Sequence, residues 1–323
     1  MRGGAMRRAR TLMVLAILLV VGCAPQIETV LPTLMPSPLP TPTTVLTVST
    51  APVAVTTETS TPLSTATPQP TSTEEVKSVT FTIVYDNNDY DERLRTAWGF
   101  ACLVETGEAT ILFDTGGDGP TLLGNMDTLG LDPLEIDAIV LSHAHGDHTG
   151  GLAGLLDTGA RPTVYVPAAF PASFKNEVRS HTELVEVSGP MEILPRMLFI
   201  RSVHTTGEMG ASIVEQALVV ETEAGLVVVT GCAHPGVEKL ARRAKESVGG
   251  EIYLVMGGFH LSSASRQRIE SIIADFRELG VQRVAPCHCT GDQARQMFSD
   301  AFGKDYIPAG VGRVIIIGAG EVE

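Results

Sequence analysis

Between Asp137 and Gly151 the chain reads Asp-Ala-Ile-Val-Leu-Ser-His-Ala-His-Gly-Asp-His-Thr-Gly-Gly, so an apolar run empties directly into His143, His145, Asp147 and His148. Imidazole and carboxylate are donors that hold divalent transition metals. His143 and His145 stand two apart on extended chain leaving a strand, so their rings point the same way and can share one ion. Asp147 and His148 then face a second ion, and the spacing predicts a dinuclear metal site. The bland alternative is a histidine-rich surface loop, which chance rarely places directly after Ile139-Val140-Leu141. Gly146, Gly150 and Gly151 are expected to let the backbone turn sharply and approach closely before a helix begins.

The other histidines carry the second argument. Of eight in the chain, six stand where an apolar run ends: His143, His145, His148, His234, His260 and His288. Leu226-Val-Val-Val-Thr-Gly-Cys-Ala-His234, Ile252-Tyr-Leu-Val-Met-Gly-Gly-Phe-His260 and Arg283-Val-Ala-Pro-Cys-His288 each deliver an imidazole just past an expected strand. That edge is where ligands collect in layered α/β folds. His181 reads as a surface residue and His204 as a structural or rim one.

These motifs resemble the metallo-β-lactamase superfamily. Gly231-Cys-Ala-His-Pro-Gly236, Gly257-Gly-Phe-His-Leu261 and Pro286-Cys-His-Cys-Thr-Gly291 narrow the likeness to the branch named for dihydropterin and ribofuranosylaminobenzene 5'-phosphate synthases, over about Val79 to Gly320. The resemblance implies a four-layer αββα sandwich and two divalent ions, most often zinc, with iron or manganese suited to the same donors. It implies that His143, His145 and His234 hold one ion and Asp147, His148 and His288 the other. It also implies that Asp114, at the end of Ile111-Leu-Phe, orients a ligand histidine; capping the helix that follows is the structural alternative. His260 is left with three readings: a ligand, a donor to a substrate oxyanion, or a partner of a buried carbonyl. Where many members bridge the metals with the carboxylate of a Gly-Asp pair, this chain has Thr206-Gly-Glu208 and Gly231-Cys232, so the bridging ligand is not identified.

Positioning these residues requires a layered domain. Alternating or continuous apolar runs predict strands over Val79 to Tyr85, Gly99 to Glu105, Thr110 to Phe113, Thr163 to Val166, Met197 to Val203, Ala217 to Glu221, Leu226 to Thr230, Ile252 to Met256, Arg283 to Ala285 and Arg313 to Ile317. Helical periodicity marks Val237 to Val248, Arg266 to Leu279 and Gln293 to Phe302, with a further helix near Thr121 to Leu129. Strands in two groups with amphipathic helices between them fit four layers better than one doubly wound sheet. The long polar loop Asp86 to Trp98 holds the single Trp, either packed on the domain or touching substrate. The stretch Ala168 to Pro195, with Lys175 and Arg179, is expected to shape the rim of the pocket.

Outside the domain the composition changes. Arg2, Arg7, Arg8 and Arg10 precede an apolar core from Leu12 to Val21 and then Gly22-Cys23, the order of a bacterial lipoprotein signal. Residues 1–23 are therefore expected to be a signal segment with lipid on Cys23; an uncleaved anchor is the alternative, and both place the domain outside the cytoplasm at the membrane. Residues 24–75 are rich in Pro, Thr and Ser and nearly uncharged, so a disordered tether is expected there, with the catalytic domain over 76–323. A formal net charge of -14 with only 23 Lys and Arg argues against a broad nucleic-acid surface, leaving a small molecule as the expected partner. Cys102 reads as a small buried hydrophobe, and a bridge from Cys232 to Cys287 or Cys289 is an open alternative.

Together these features predict a membrane-tethered, extracytoplasmic metallohydrolase. Two ions would acidify a shared water and polarise the carbonyl or phosphoryl oxygen of a small ester, lactone or phosphoester. Asp147 serves as ligand and base, and His260 as a second catalytic candidate. The contrasting reading is a metal- or ligand-binding lipoprotein without turnover.

Overall fold

The computed structural model describes residues 78–194 and 202–318. The signal segment, the tether and most of the strand expected over Met197 to Val203 lie outside the described residues. Two sheets face each other. The first has the order β13-β1-β2-β3-β4-β5-β6 and the second β12-β11-β10-β9-β8-β7. The strands are β1 (Ser78–Tyr85), β2 (Ala101–Glu105), β3 (Thr110–Phe113), β4 (Ala138–Val140), β5 (Thr163–Pro167), β6 (Leu184–Val187), β7 (Met191–Leu194), β8 (Ser202–Thr205), β9 (Leu218–Thr222), β10 (Gly225–Thr230), β11 (Ile252–Gly258), β12 (Arg283–Cys287) and β13 (Val314–Gly318).

Helices cover both outer faces: α1 (Gly119–Leu129), α2 (Gly146–Thr149), α3 (Leu152–Asp157) and α4 (Ala172–His181) belong to the first sheet, and α5 (Val237–Val248), α6 (Arg266–Leu279) and α7 (Asp292–Phe302) to the second. Three apolar layers follow from strand alternation. Phe81, Ile83, Phe113 and Val140 meet Val227, Val229, Leu254 and Met256 between the sheets. The opposite faces of the same strands pack outward: Leu103, Leu112 and Ile139 against Leu122, Met126, Leu152 and Leu155, and Val228 and Val255 against Leu240, Ile269, Ile273 and Phe298. The architecture is the expected αββα sandwich.

Two connections decide where chemistry can sit. β3, β4, β5 and β6 run parallel, as do β10, β11 and β12, each pair joined by a helical crossover. Crossovers return the chain to the same end of the sheet, so all the loops leaving these strands gather along one edge. The sequence missed β6, β7 and α4, because these short peripheral elements are half-exposed and carry little hydrophobic period. Within the described residues β8 extends past the expected end at Val203 to reach Thr205. Cys102 is fully buried, as read.

Candidate metal centre

Every metal-type residue singled out from the sequence lies just past the C-terminal end of a strand. β4 leads through Leu141 and Ser142 to His143 and His145, and α2 begins at Gly146 with Asp147 and His148 in its single turn. β10, β11 and β12 deliver His234, His260 and His288. Among the described residues, four that are not glycine adopt left-handed backbone: Asp114, Ala233, His260 and His288. All four lie at this edge, in a conformation that L-residues adopt only when the surrounding structure holds them there. Gly231 is required for the same closeness, because a Cβ there would overlap Ser142 Oγ and the Asp114 carboxylate. Gly150 and Gly151 likewise press on the carbonyls of Gly117 and Thr115, whereas a side chain at Gly146 would meet open space, so only two of the three glycines act as expected.

Three donor groups form among the described residues: two of them, built on the expected ligands, stand side by side, and Cys232, His260 and Cys289 make a third. His143, His145 and His234 offer ring nitrogens within 4.8 Å of one another; His143 Nε2 and His145 Nδ1 are 3.0 Å apart. Asp147, His148, Cys232 and His288 form the second cluster under the same 4.8 Å limit. In it Asp147 Oδ2 stands 3.6 Å from Nε2 of both His148 and His288. The rings of His143 and His148 are 4.3 Å apart, so the clusters abut. The partition into His143, His145, His234 and Asp147, His148, His288 is reproduced in space, with Cys232 added.

Buried oxygens fix the outer nitrogens of these rings. Asp114 Oδ2 lies 2.7 Å from His148 Nδ1 and accepts a 2.7 Å hydrogen bond from Ser142 Oγ. Ser142 Oγ in turn lies 2.9 Å from His143 Nδ1. With its own proton given to Asp114, the serine oxygen accepts from His143 Nδ1–H, so one carboxylate sets the tautomer of a ring in each cluster. Asp114 therefore orients a candidate ligand histidine; the cap of α1 is Asp118 instead. Glu215 accepts from the backbone N–H of Cys232, Ala233 and His234, and its Oε2 is 2.8 Å from His234 Nδ1. Asn87 Oδ1 lies 2.9 Å from His288 Nδ1, and Asp86 accepts from the backbone N–H of His288. Ser142, Glu215 and Asn87 were not assigned roles from the sequence, although Asn87 stands in a polar run directly after a strand; Cys232 stood there in the likely place of the bridging ligand and as a possible disulfide partner.

The electrostatics favour neutral rings at His143, His145 and His288. Burial, reinforced by the charge of His148, holds His143 down to about 2 and His288 to about 3, and burial with the neighbouring His234 also lowers His145. Burial pulls His148 down too, but the charge and hydrogen bond of Asp114 outweigh it and raise this ring. Glu215 is pushed up by burial, yet hydrogen bonds from His234 and the charge of His143 hold it down to about 2. His143, with its outer Nδ1 engaged by Ser142, turns Nε2 toward His145 Nδ1 at 3.0 Å. Imidazole nitrogens converging with the Asp147 carboxylate and held by outer partners are a donor set that suits divalent ions, so the residues fit two of them.

His260 is exposed, lies tilted against His234 with ring centroids 4.4 Å apart, and hydrogen-bonds Cys289, which raises its pKa. It therefore stands at the site. Trp98 packs its ring 5.0 Å from that of His288 yet remains 58% exposed, forming an open wall beside the second cluster. Lys175 and Arg179 do not serve as free rim cations, because both pair with Glu186 on β6. His181 ends α4 at the surface, and His204 lies in β8. Cys102, Cys232, Cys287 and Cys289 are buried free thiols, so no bridge joins Cys232 to Cys287 or Cys289.

Residues 99–238 match the family model of the metallo-beta-lactamase superfamily. The chain is 30% identical over 279 residues to the 7,8-dihydropterin-6-methyl-4-(beta-D-ribofuranosyl)-aminobenzene-5'-phosphate synthase of Methanocaldococcus jannaschii, covering 73% of this chain and 95% of that protein. Tm1679, a metal-dependent hydrolase of the beta-lactamase superfamily, superposes with a TM-score of 0.60 at 26% identity, over 75% of this chain and all of that one (100%). The metallo-beta-lactamase fold protein YhfI from Bacillus subtilis shares the fold, with a TM-score of 0.56 at 15% identity over 74% of this chain and 99% of that one.

Proposed function

The chain belongs to the metallo-β-lactamase superfamily and is a metal-dependent hydrolase, and from that premise we propose that it hydrolyses a small ester, lactone or phosphoester at two adjacent divalent ions, outside the cytoplasm and tethered to the membrane. The observation that carries the chemistry is Asp147. Its carboxylate faces two imidazoles of the second cluster while its side chain keeps 22% exposure, so it reaches from that cluster to the solvent-facing space above it.

His143, His145 and His234 would hold one ion, and Asp147, His148 and His288 the other. Ions held there supply Lewis-acid polarisation of a substrate oxygen and an acidified water. The protein does the rest. Asp147 orients the attacking water and takes its proton, from the free edge of its carboxylate. His260, exposed at the same mouth with its pKa raised by Cys289, donates a hydrogen bond to the oxygen on which charge develops. Trp98 flanks the second cluster and limits the approach of water on that side.

The resemblance to the Methanocaldococcus synthase supports the fold and the donor set. A chain exported and tethered as proposed is a poor setting for the biosynthetic step that protein's name describes. Tethering is inferred from Arg2, Arg7, Arg8 and Arg10, the apolar stretch to Val21, and Cys23.

The test is turnover by the metal-loaded domain of activated phosphodiesters, lactones and thioesters, with Asp147→Asn beside the wild type. A drop of roughly a hundredfold to ten-thousandfold at equal metal content is expected for a lost base. A fully loaded wild type inert across the panel would replace this reading with a non-catalytic metal-binding lipoprotein.

A further inference from the structure

We propose that the cavity between the edge strands β12 and β13 is a second binding site, separate from the metal centre, and that it takes an amphiphilic phosphate: a phosphate group joined to an apolar body.

The two sheets end differently on this flank. Among the described residues β13 pairs with β1 alone, whereas the outer edge of β12 is covered by the chain that follows α7, where the Ile307 N–H donates to the Val284 carbonyl at 2.8 Å. Between that chain and β13 lies a cavity of about 730 Å³, within the ordinary size range of small-molecule sites. Arg283 opens β12 and His288 follows its other end, and no residue lining the cavity belongs to a donor group of the metal centre.

The lining is basic in an acidic protein. Arg283, Lys304 and Arg313 line the cavity with Asp305 as its one carboxylate, in a chain of formal charge -14. Lys175, Arg179, Lys245 and Arg268 are each neutralised by a glutamate elsewhere on the surface, but among the described residues no carboxylate pairs with Lys304 or Arg313.

Tyrosines hold both guanidinium groups. Arg313 lies over the ring of Tyr90, 5.1 Å from its centroid, and donates to its hydroxyl. Arg283 lies over the ring of Tyr253 at 5.8 Å and donates to that hydroxyl at 3.1 Å. A tyrosine fixes a guanidinium without cancelling its charge. Arg313 Nε is also buried with no hydrogen-bond partner, so one strong donor of the wall goes unserved. Two planar forks and an ammonium match the several oxygens and the double charge of a phosphate better than a single carboxylate would.

The rest of the lining is apolar. Ile307 and Ile315 are buried, whereas Val314 and Ile316 remain 42% and 37% exposed. A bare inorganic anion would leave these two side chains in water, and an apolar body attached to the phosphate would cover them.

The test protein is the metal-loaded domain over 76–323, which holds all three apolar layers and spans the whole of Tm1679. Calorimetric titration with dihexanoyl phosphatidic acid should show binding that weakens with added salt, and hydrogen exchange should slow over residues 304–316. Arg313→Gln and the exposed Lys304→Gln should each weaken it roughly tenfold. Inorganic phosphate should bind more weakly than the short-chain lipid, and dihexanoyl phosphatidylcholine, whose headgroup has no net charge, should not compete. Cosedimentation with phosphatidylcholine vesicles doped with phosphatidic acid would identify a membrane lipid as the source; its absence beside retained binding of the short-chain lipid would identify a soluble phosphate ester. The proposal is overturned if exchange over 304–316 is unchanged at saturation, as it would be for a phosphate held only at the metals. Wild-type affinity in both variants, or equal affinity for the phosphatidylcholine, also overturns it. Lys304→Gln touches no packed side chain, so it decides even where Arg313→Gln folds poorly.

Discussion

Glu215 Oε2 lies 2.8 Å from both the backbone nitrogen and the ring Nδ1 of His234, so a single buried carboxylate fixes the position and the tautomer of one candidate ligand. Its charge is kept by those bonds, which hold Glu215 at about 2 against the ordinary 4.5.

A depressed carboxylate pKa contributes stability that is fully present above the unfolded value of 4.5 and is lost as pH falls toward about 2. That difference corresponds to about 3 kcal/mol. Glu215→Gln should therefore destabilise the metal-free domain by about that amount at pH 7. The gap to wild type should narrow as pH falls from 4.5 toward 3. Urea denaturation of both proteins across that range measures it, and a gap that is constant with pH would rule out an ionised Glu215.

Asp114 supports one ring in each cluster, directly at His148 and through Ser142 at His143. Asp114→Asn should weaken binding of both ions by roughly tenfold to a hundredfold, whereas Ser142→Ala should weaken mainly the first. Competition against a chromophoric chelator resolves the two steps. Equal effects of Ser142→Ala on both would contradict the described path.

His145 contributes only to the three-imidazole cluster. Elemental analysis of the wild-type domain should find close to two transition-metal ions, and His145→Ala should retain close to one. A wild type purified without metal after growth in metal-replete medium, and an unchanged variant, would remove the basis for the dinuclear reading.

Cys23 follows the basic and apolar segments in the order of a lipoprotein signal. Mass spectrometry of the mature N-terminus should find lipid on Cys23, and Cys23→Ser should stall processing or release the protein from the membrane fraction. An unmodified Cys23 inside an intact leader would show that the tether is of another kind.

The sequence by itself determined the layered architecture and six of the seven donors in the two clusters. Strand runs such as Leu226 to Thr230 bury both faces, so they read as continuous apolar stretches, and a histidine at the end of such a run stands out against it. The H-x-H-x-D-H spacing is local, and local geometry survives in sequence. What only the tertiary structure decided is everything that depends on juxtaposition across the chain. Glu215 reaches His234 from an irregular segment before β9, and Asn87 reaches His288 across 201 positions. Cys232 could be read from sequence as a disulfide partner or as standing in the place of a bridging ligand, and only the fold brings it to His148 and His288, which follow two different strands. Neither hydrophobic period nor turn chemistry records such partners, because the crossovers that align the strand ends fix the distances, and those form only when both sheets are packed.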